Sequence, residues 1–185
     1  MRNIIYSMLV SLDGFIEAPD GDISWSVPDE ELHQHFNEME AAIGVHLYGR
    51  RMYEIMAGYW PTADQQPSVS QVEVDYARLW RSMPKIVFST TLEKVAWNSR
   101  LVRGNIAEEV RQLKSQPGKD MSVSGAGLAA SFMQLGLIDE YRLYIHPILL
   151  GDGKPMFPPM KERIKLKLVE TLRFGSGVVL VRYQA

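Results

Sequence analysis

The strongest constraint on this chain is the order in which two periodicities alternate along it. Short apolar runs are each followed by a turn of small or hydroxyl-bearing residues and then by a stretch with helical spacing. Residues 3–10 form the first run, and Ser11-Leu12-Asp13-Gly14 turns out of it. Leu32, Phe36, Met39 and Ile43 then fall on one face of a predicted helix over residues 29–43. Val45 to Tyr48 is a predicted strand closed by Gly49, with a helix over 50–57. A polar, Pro-containing loop over 61–72 leads to a helix over 73–82 that carries Tyr76, Leu79 and Trp80. Strands follow from Lys85 to Ser89 and from Leu101 to Arg103. Asn105 and Glu108 have capping-box spacing and open a helix through Leu113, with Gly118 as the stop signal. Met121 to Ser124 runs into Gly125-Ala126-Gly127 and a helix whose apolar face holds Leu128, Phe132 and Leu135. Gly136 stands where a C-terminal cap belongs. Repetition of strand and helix in this way predicts a mostly parallel sheet.

The last third abandons the pattern. Tyr141 to His146 is a strand, residues 162–173 alternate Ile164, Leu166 and Leu168 with Lys165 and Lys167, and Val178 to Tyr183 is a final strand. These segments predict antiparallel strands at one edge. The expected fold is therefore a three-layer α/β domain with a mixed, mostly parallel sheet, and 185 residues suit one domain over 1–185. The absence of Cys excludes disulfides, thiolate catalysis and Cys-ligated metal sites, and fits a cytoplasmic protein. A net charge of −2 gives no broad basic surface for nucleic acid. No apolar run approaches the ~20 residues of a membrane-spanning helix.

Four stretches carry possible chemistry. Ser124-Gly125-Ala126-Gly127 sits between a strand and a helix, where small residues and free N–H groups suit a diphosphate or merely make a tight turn. Arg50 and Arg51 start a helix, which is unfavourable unless an anion relieves them, or they are solvated surface residues. Ser89 and Thr90 end a strand, where hydroxyls bind phosphate or cap a turn. Ser11 to Glu17, with two carboxylates, is followed by Gly21 to Trp25, with a third carboxylate and an indole, in a loop after the first strand. It suits a mobile lid, although Asp13 before Gly14 equally suits a turn. His33 and His35 do not share a helix face, so no metal site is expected. His146 lines a pocket or packs, and Met39, Met52, Met56 and Met133 read as core.

Taken together, Ser11 to Glu17, Leu47 to Glu54, Lys85 to Ser89, Ser122 to Gly127, Gly136 to Glu140 and Pro147 to Phe157 resemble the dihydrofolate reductase-like superfamily. Within it the chain is most similar to the reductase domain of the bifunctional riboflavin-biosynthesis deaminase-reductase and its stand-alone relatives. The resemblance implies NADPH as cofactor. It places Gly49, Arg50, Arg51 and Met52 at cofactor phosphates, Ser89 and Thr90 near the 2′-phosphate, and Gly125, Ala126 and Gly127 at the diphosphate. Leu128 stands where some members carry an Arg that contacts the cofactor. Leu9 and Ile16 would lie against the nicotinamide and Trp25 near the substrate. The related domains are usually homodimers.

The acidic residue with which true dihydrofolate reductases engage the pterin has its place near His33, and a neutral His cannot pair as a carboxylate does. The expectation is thus an NADPH-dependent reductase acting on a C=N or C=O group of a small pyrimidine- or pterin-like heterocycle, not necessarily dihydrofolate. Asp13, Glu17 and His33 are the candidate polar groups near the reacting centre. The alternative is a non-catalytic nucleotide-binding protein that keeps the cofactor cleft. A place in riboflavin synthesis would require the deaminase on another chain.

Overall fold

The computed structural model describes residues 1–160 and 162–185. In chain order the elements are β1 (Ile4–Ser11), β2 (Phe15–Glu17), α1 (Glu30–Ala41), β3 (Val45–Gly49), α2 (Arg50–Tyr59), α3 (Gln71–Ser82), β4 (Lys85–Phe88) and β5 (Ser99–Val102). They continue with α4 (Ile106–Ser115), β6 (Met121–Ser124), α5 (Ala126–Gln134), β7 (Glu140–His146), β8 (Lys154–Pro155), β9 (Lys167–Arg173) and β10 (Val179–Gln184). Short 3-10 turns occupy Ser24–Ser26 and Trp60–Gln65.

The main sheet has eight strands in the order β5-β4-β3-β6-β1-β7-β10-β9. The six from β5 to β7 are parallel, and β10 and β9 add antiparallel pairings at one edge. Parallel strands are covered on both faces, so β1 reads as a nearly continuous apolar run. On one face Ile4, Tyr6, Leu47 and Val123 pack with Val110 and Leu113 of α4 and Phe132 and Met133 of α5. On the other, Leu32 and Phe36 of α1 meet Tyr144 and Leu180, while Met52 and Tyr53 of α2 meet Tyr48 and Val87. This is the expected three-layer arrangement.

Local expectations are refined at several places. Helix α3 starts two residues early, because Ser70 and Glu73 cap each other's backbone N–H groups in a reciprocal box. At α4, Asn105 accepts from the N–H groups of Ala107 and Glu108. The strand expected over 162–173 is confined to Lys167–Arg173, and every residue of it is exposed, so its alternation has no buried face. The lid is not free at its start. Phe15–Glu17 pairs antiparallel with Lys154–Pro155, a contact between segments far apart in the chain.

The connections decide where a crevice opens. From β3 the chain moves outward to β4, whereas from β6 it crosses β1 to reach β7. Adjacent strands whose connections diverge leave a gap at their carboxyl ends, where α/β sheets receive ligands. That gap lies between Gly49 and Gly125.

Candidate active site

Gly49 and Gly125 face each other across this gap. Gly125 has φ +101°, a region side chains rarely adopt, and a Cβ there would sit 3.3 Å from Met52 Cβ. A Cβ on Gly49 would meet Leu128 Cβ at 3.4 Å. Gly49 and Gly125 are also the N-terminal caps of α2 and α5, and neither helix has a side-chain cap. Their first N–H groups therefore point into the gap without a capping partner, and both helix dipoles favour negative charge there.

The neighbouring side chains fit that polarity. Arg50 and Arg51 are exposed, with only long contacts to Glu54 at 4.0 Å and Glu17 at 3.7 Å. Two cations at a helix start are unfavourable for the helix itself. Ser89 follows β4, the next strand outward, but its Oγ already accepts from the N–H groups of Thr91 and Leu92. Thr90 is exposed beside it. Arg103, just past β5, is fastened to the carbonyls of Thr90, Leu92 and Glu93. It is a further cation at this edge that the sequence did not single out. Ala126 and Gly127 begin α5, while Leu128 is buried in the core.

Beside the gap, a cavity of about 650 Å³ lies between α1, α2 with its following turn, and α3. Its walls include Leu9, His33, Phe36, Met56, Trp60 and Tyr76. Leu9 is on β1 beyond the last residue paired with β6, which opens its side chain to the cavity. Trp60 packs edge-on against Tyr76 at 4.3 Å between ring centroids, and His33 lies 6.2 Å from Trp60. Burial lowers the His33 pKa, with Glu73 opposing.

Of the three polar candidates, only His33 lines this cavity. Asp13 lies outside the cavity lining and is engaged in fastening. Its carboxylate accepts from Ser11 Oγ at 2.6 Å and from the N–H groups of Leu150 and Gly151, tying the first turn to the loop after β7. The Ser11 hydroxyl, with the Gly151 and Leu150 amides, holds its pKa below the ordinary carboxylate value. Glu17 faces Arg51 and Lys154 instead. Ile16 is buried in the large core cluster rather than presented to a ligand. Met133 is core as expected, but Met56 lines the cavity. Trp25 packs edge-on against His146 at 5.5 Å, and both Trp25 Nε1 and His146 Nε2 are buried without a hydrogen-bond partner. They flank a smaller cavity of about 270 Å³ at the end of β7. No group of residues suited to a metal ion occurs among the described residues, and no helix among them is long and apolar enough to cross a membrane.

Comparison with known proteins gives a consistent result. The sequence pattern of the RibD C-terminal domain matches residues 2–180. The uncharacterized protein YyaP of Bacillus subtilis is 40% identical over 183 residues, covering 98% of this chain and 94% of its own length. A Shewanella sp. PV-4 structure described as a riboflavin biosynthesis protein superposes with a TM-score of 0.77 at 22% identity, covering 100% of this chain and 98% of that one. The diaminohydroxyphosphoribosylaminopyrimidine deaminase/5-amino-6-(5-phosphoribosylamino)uracil reductase of Thermotoga maritima superposes with a TM-score of 0.68 at 17% identity. This chain covers 56% of that longer protein. At these identities the two structures establish the fold.

Proposed function

The chain belongs to the RibD C-terminal domain family, and from that premise we propose that it is a reductase using NADPH to reduce a C=N or C=O group of a small pyrimidine- or pterin-like heterocycle. The observation that carries the proposal is the meeting of two helix N-termini without side-chain caps across the Gly49–Gly125 gap, beside Arg50 and Arg51. The two absent Cβ atoms let the openings of α2 and α5 approach each other closely, which brings their N–H groups together where a dinucleotide's diphosphate would be held. When bound, NADPH supplies the hydride.

The chain's own residues do the remaining work. The N–H groups opening α2 and α5 hold diphosphate oxygens. Arg50 and Arg51 hold further phosphate, with Thr90 and Arg103 beside them, and Met52 and Leu128 form the apolar wall beneath. Leu9 joins the gap to the aromatic cavity and keeps water from the junction. Trp25 closes the lid side, with its start held by β2–β8 pairing. His33 is the titratable group placed to exchange a proton with a bound heterocycle, and Asp13 and Glu17 position the lid.

Calorimetric titration with NADPH and NADH tests the proposal. It predicts binding with NADPH preferred, and binding of neither removes the reductase reading. NADPH bound but never oxidised across a panel of pyrimidines and pterins would favour the non-catalytic alternative. We also propose that two chains pair along β9, whose outer edge is unpaired and exposes Leu168, Val169 and Leu172. A solution mass of one chain by light scattering would remove that pairing.

A further inference from the structure

At the opposite end of the sheet, the amino ends of the parallel strands leave another cavity, of about 610 Å³. That volume suits a small organic ligand. Val45 at the start of β3, Lys85 at the start of β4 and Ser99 at the start of β5 line it, with Arg2 before β1. Strand β3 runs from this cavity to Gly49, so the gap lies roughly 13 Å away at about 3.3 Å per residue.

Among the described residues that line it are three cations, Arg2, Lys85 and Arg100, and no carboxylate. Two of the cations are engaged. Lys85 Nζ donates to the carbonyls of Trp80, Met83 and Trp97, which ties the end of α3 to the loop before β5. Arg100 pairs with Glu109. Arg2 is different. The residue is only 7% exposed, and its Nε donates to the Lys119 carbonyl at 2.6 Å. Its two terminal nitrogens have no acceptor among the described residues, yet neither is sealed from solvent. Burial lowers the Arg2 pKa, with Asp120 opposing from a place where it accepts from the Asn3 N–H.

The backbone makes room for this guanidinium. A Cβ on Gly44 would lie 3.2 Å from Arg2 Nη2, and one on Gly118 would lie 3.4 Å from its Cζ. A buried guanidinium with free donors is unfavourable, and an oxyanion entering the cavity would complete it. The remaining lining narrows the choice of anion. Helices α3 and α4 both end beside Pro84 and Gln116, and the negative ends of their dipoles disfavour a dianion such as a phosphate monoester. Val45, Ile86 and Leu113 add an apolar wall. Trp97 also lines the cavity, is 45% exposed and stands at φ +60°, with its carbonyl held by Lys85. Bulky residues rarely adopt that region, and an exposed indole offers a flat ring a stacking face.

We propose that this cavity is a second binding site, for a flat aromatic carboxylate whose acid group pairs with Arg2 and whose ring lies against Trp97. It shares no lining residue with the aromatic cavity, and it stands independently of the reductase reading.

The test is calorimetric titration of benzoate, benzamide and phenyl phosphate into the wild-type protein, Arg2→Gln and Trp97→Gly. Benzamide keeps the ring and loses the charge. Glycine accepts the positive φ at position 97 and keeps the carbonyl that Lys85 holds, so that variant preserves the loop. Benzoate should bind the wild type saturably, with benzamide and phenyl phosphate weaker by about tenfold or more. Arg2→Gln should weaken benzoate by about tenfold or more, the scale of a charge-assisted hydrogen bond, and Trp97→Gly by about threefold or more. Saturating NADPH should leave benzoate binding unchanged. No benzoate binding, benzamide or phenyl phosphate binding as tightly as benzoate, or displacement of benzoate by NADPH would each overturn the proposal. So would unchanged affinity in a folded Arg2→Gln protein. Should that variant fail to fold, Trp97→Gly and the wild-type comparison of benzoate with benzamide decide.

Discussion

Helices α1, α3 and α4 begin under the side chains of Asp29, Ser70 and Asn105, whereas α2 and α5 begin at bare glycines. The two kinds of helix open at different places. Capped α1 and α3 wall the aromatic cavity together with the C-terminal half of α2, whereas the N-terminal ends of uncapped α2 and α5 meet at the sheet's diverging strands. A capped helix has spent its first N–H donors internally and offers little to an anion. An uncapped one keeps them available, at a cost that a bound phosphate would repay. The same α/β frame thus presents donors and cations in one compartment, and acceptors and aromatic faces in the next. Leu9, past the end of β6 pairing, lines the second.

The sharpest way to break this comparison is Gly125→Val. The substitution forces a β-branched residue to positive φ and drives its side chain into Met52, costing on the order of 2 kcal/mol or more in stability. NADPH binding should fall by about a hundredfold or more, while the aromatic cavity keeps its affinity for a heterocyclic base. Equal loss at both would show that the compartments are not separable. Arg50→Ala is next. It should weaken NADPH by about tenfold and NADH by less, as expected for one lost charge-assisted phosphate contact. Equal loss for both cofactors would take Arg50 from the 2′-phosphate.

Histidines separate the regions by pH. Burial lowers the folded-state pKa of His33, His35 and His146. As pH falls through the ordinary value near 6.5, the unfolded chain takes up protons before the folded one does. Stability should therefore be full above that value and decline below it, measured as Tm between pH 7.5 and about 5.5. His33→Gln should remove part of the decline, and an unchanged slope would show that His33 is not held neutral. The smallest expected effect is at Glu17→Gln. Freeing Arg51 from a solvent-screened contact should strengthen NADPH binding by less than about fivefold. Weaker binding would mean that Glu17 positions Arg51 for the phosphate instead of competing with it.

The framework of the gap could be read in the sequence because its signals are local. Gly125-Ala126-Gly127 and Gly49-Arg50-Arg51 each mark a strand-to-helix turn within a few residues, and parallel pairing places their strands side by side. The cavity could not be read so. Leu9, Phe36, Glu40, Trp60 and Tyr76 come from four separate segments, and no spacing links them before the layers pack. Ser70 and Glu73 did carry a visible capping pattern, but it lay inside a polar, Pro-containing stretch that reads as loop. Asp13 shows a different limit. An aspartate before glycine is compatible with a turn or a site, and only the loop bringing Leu150 and Gly151 to its carboxylate decides between them. Likewise, a three-residue strand such as β2 has too little sequence to announce a partner at β8.

Amide hydrogen exchange of the protein with and without saturating NADPH tests the two-compartment account most directly. The account predicts new protection at the opening amides of α2 and α5, from Arg50 and Ala126 onward, with the amides of α1 and α3 little changed. Protection confined to α1 and α3, or none at the starts of α2 and α5, would contradict it.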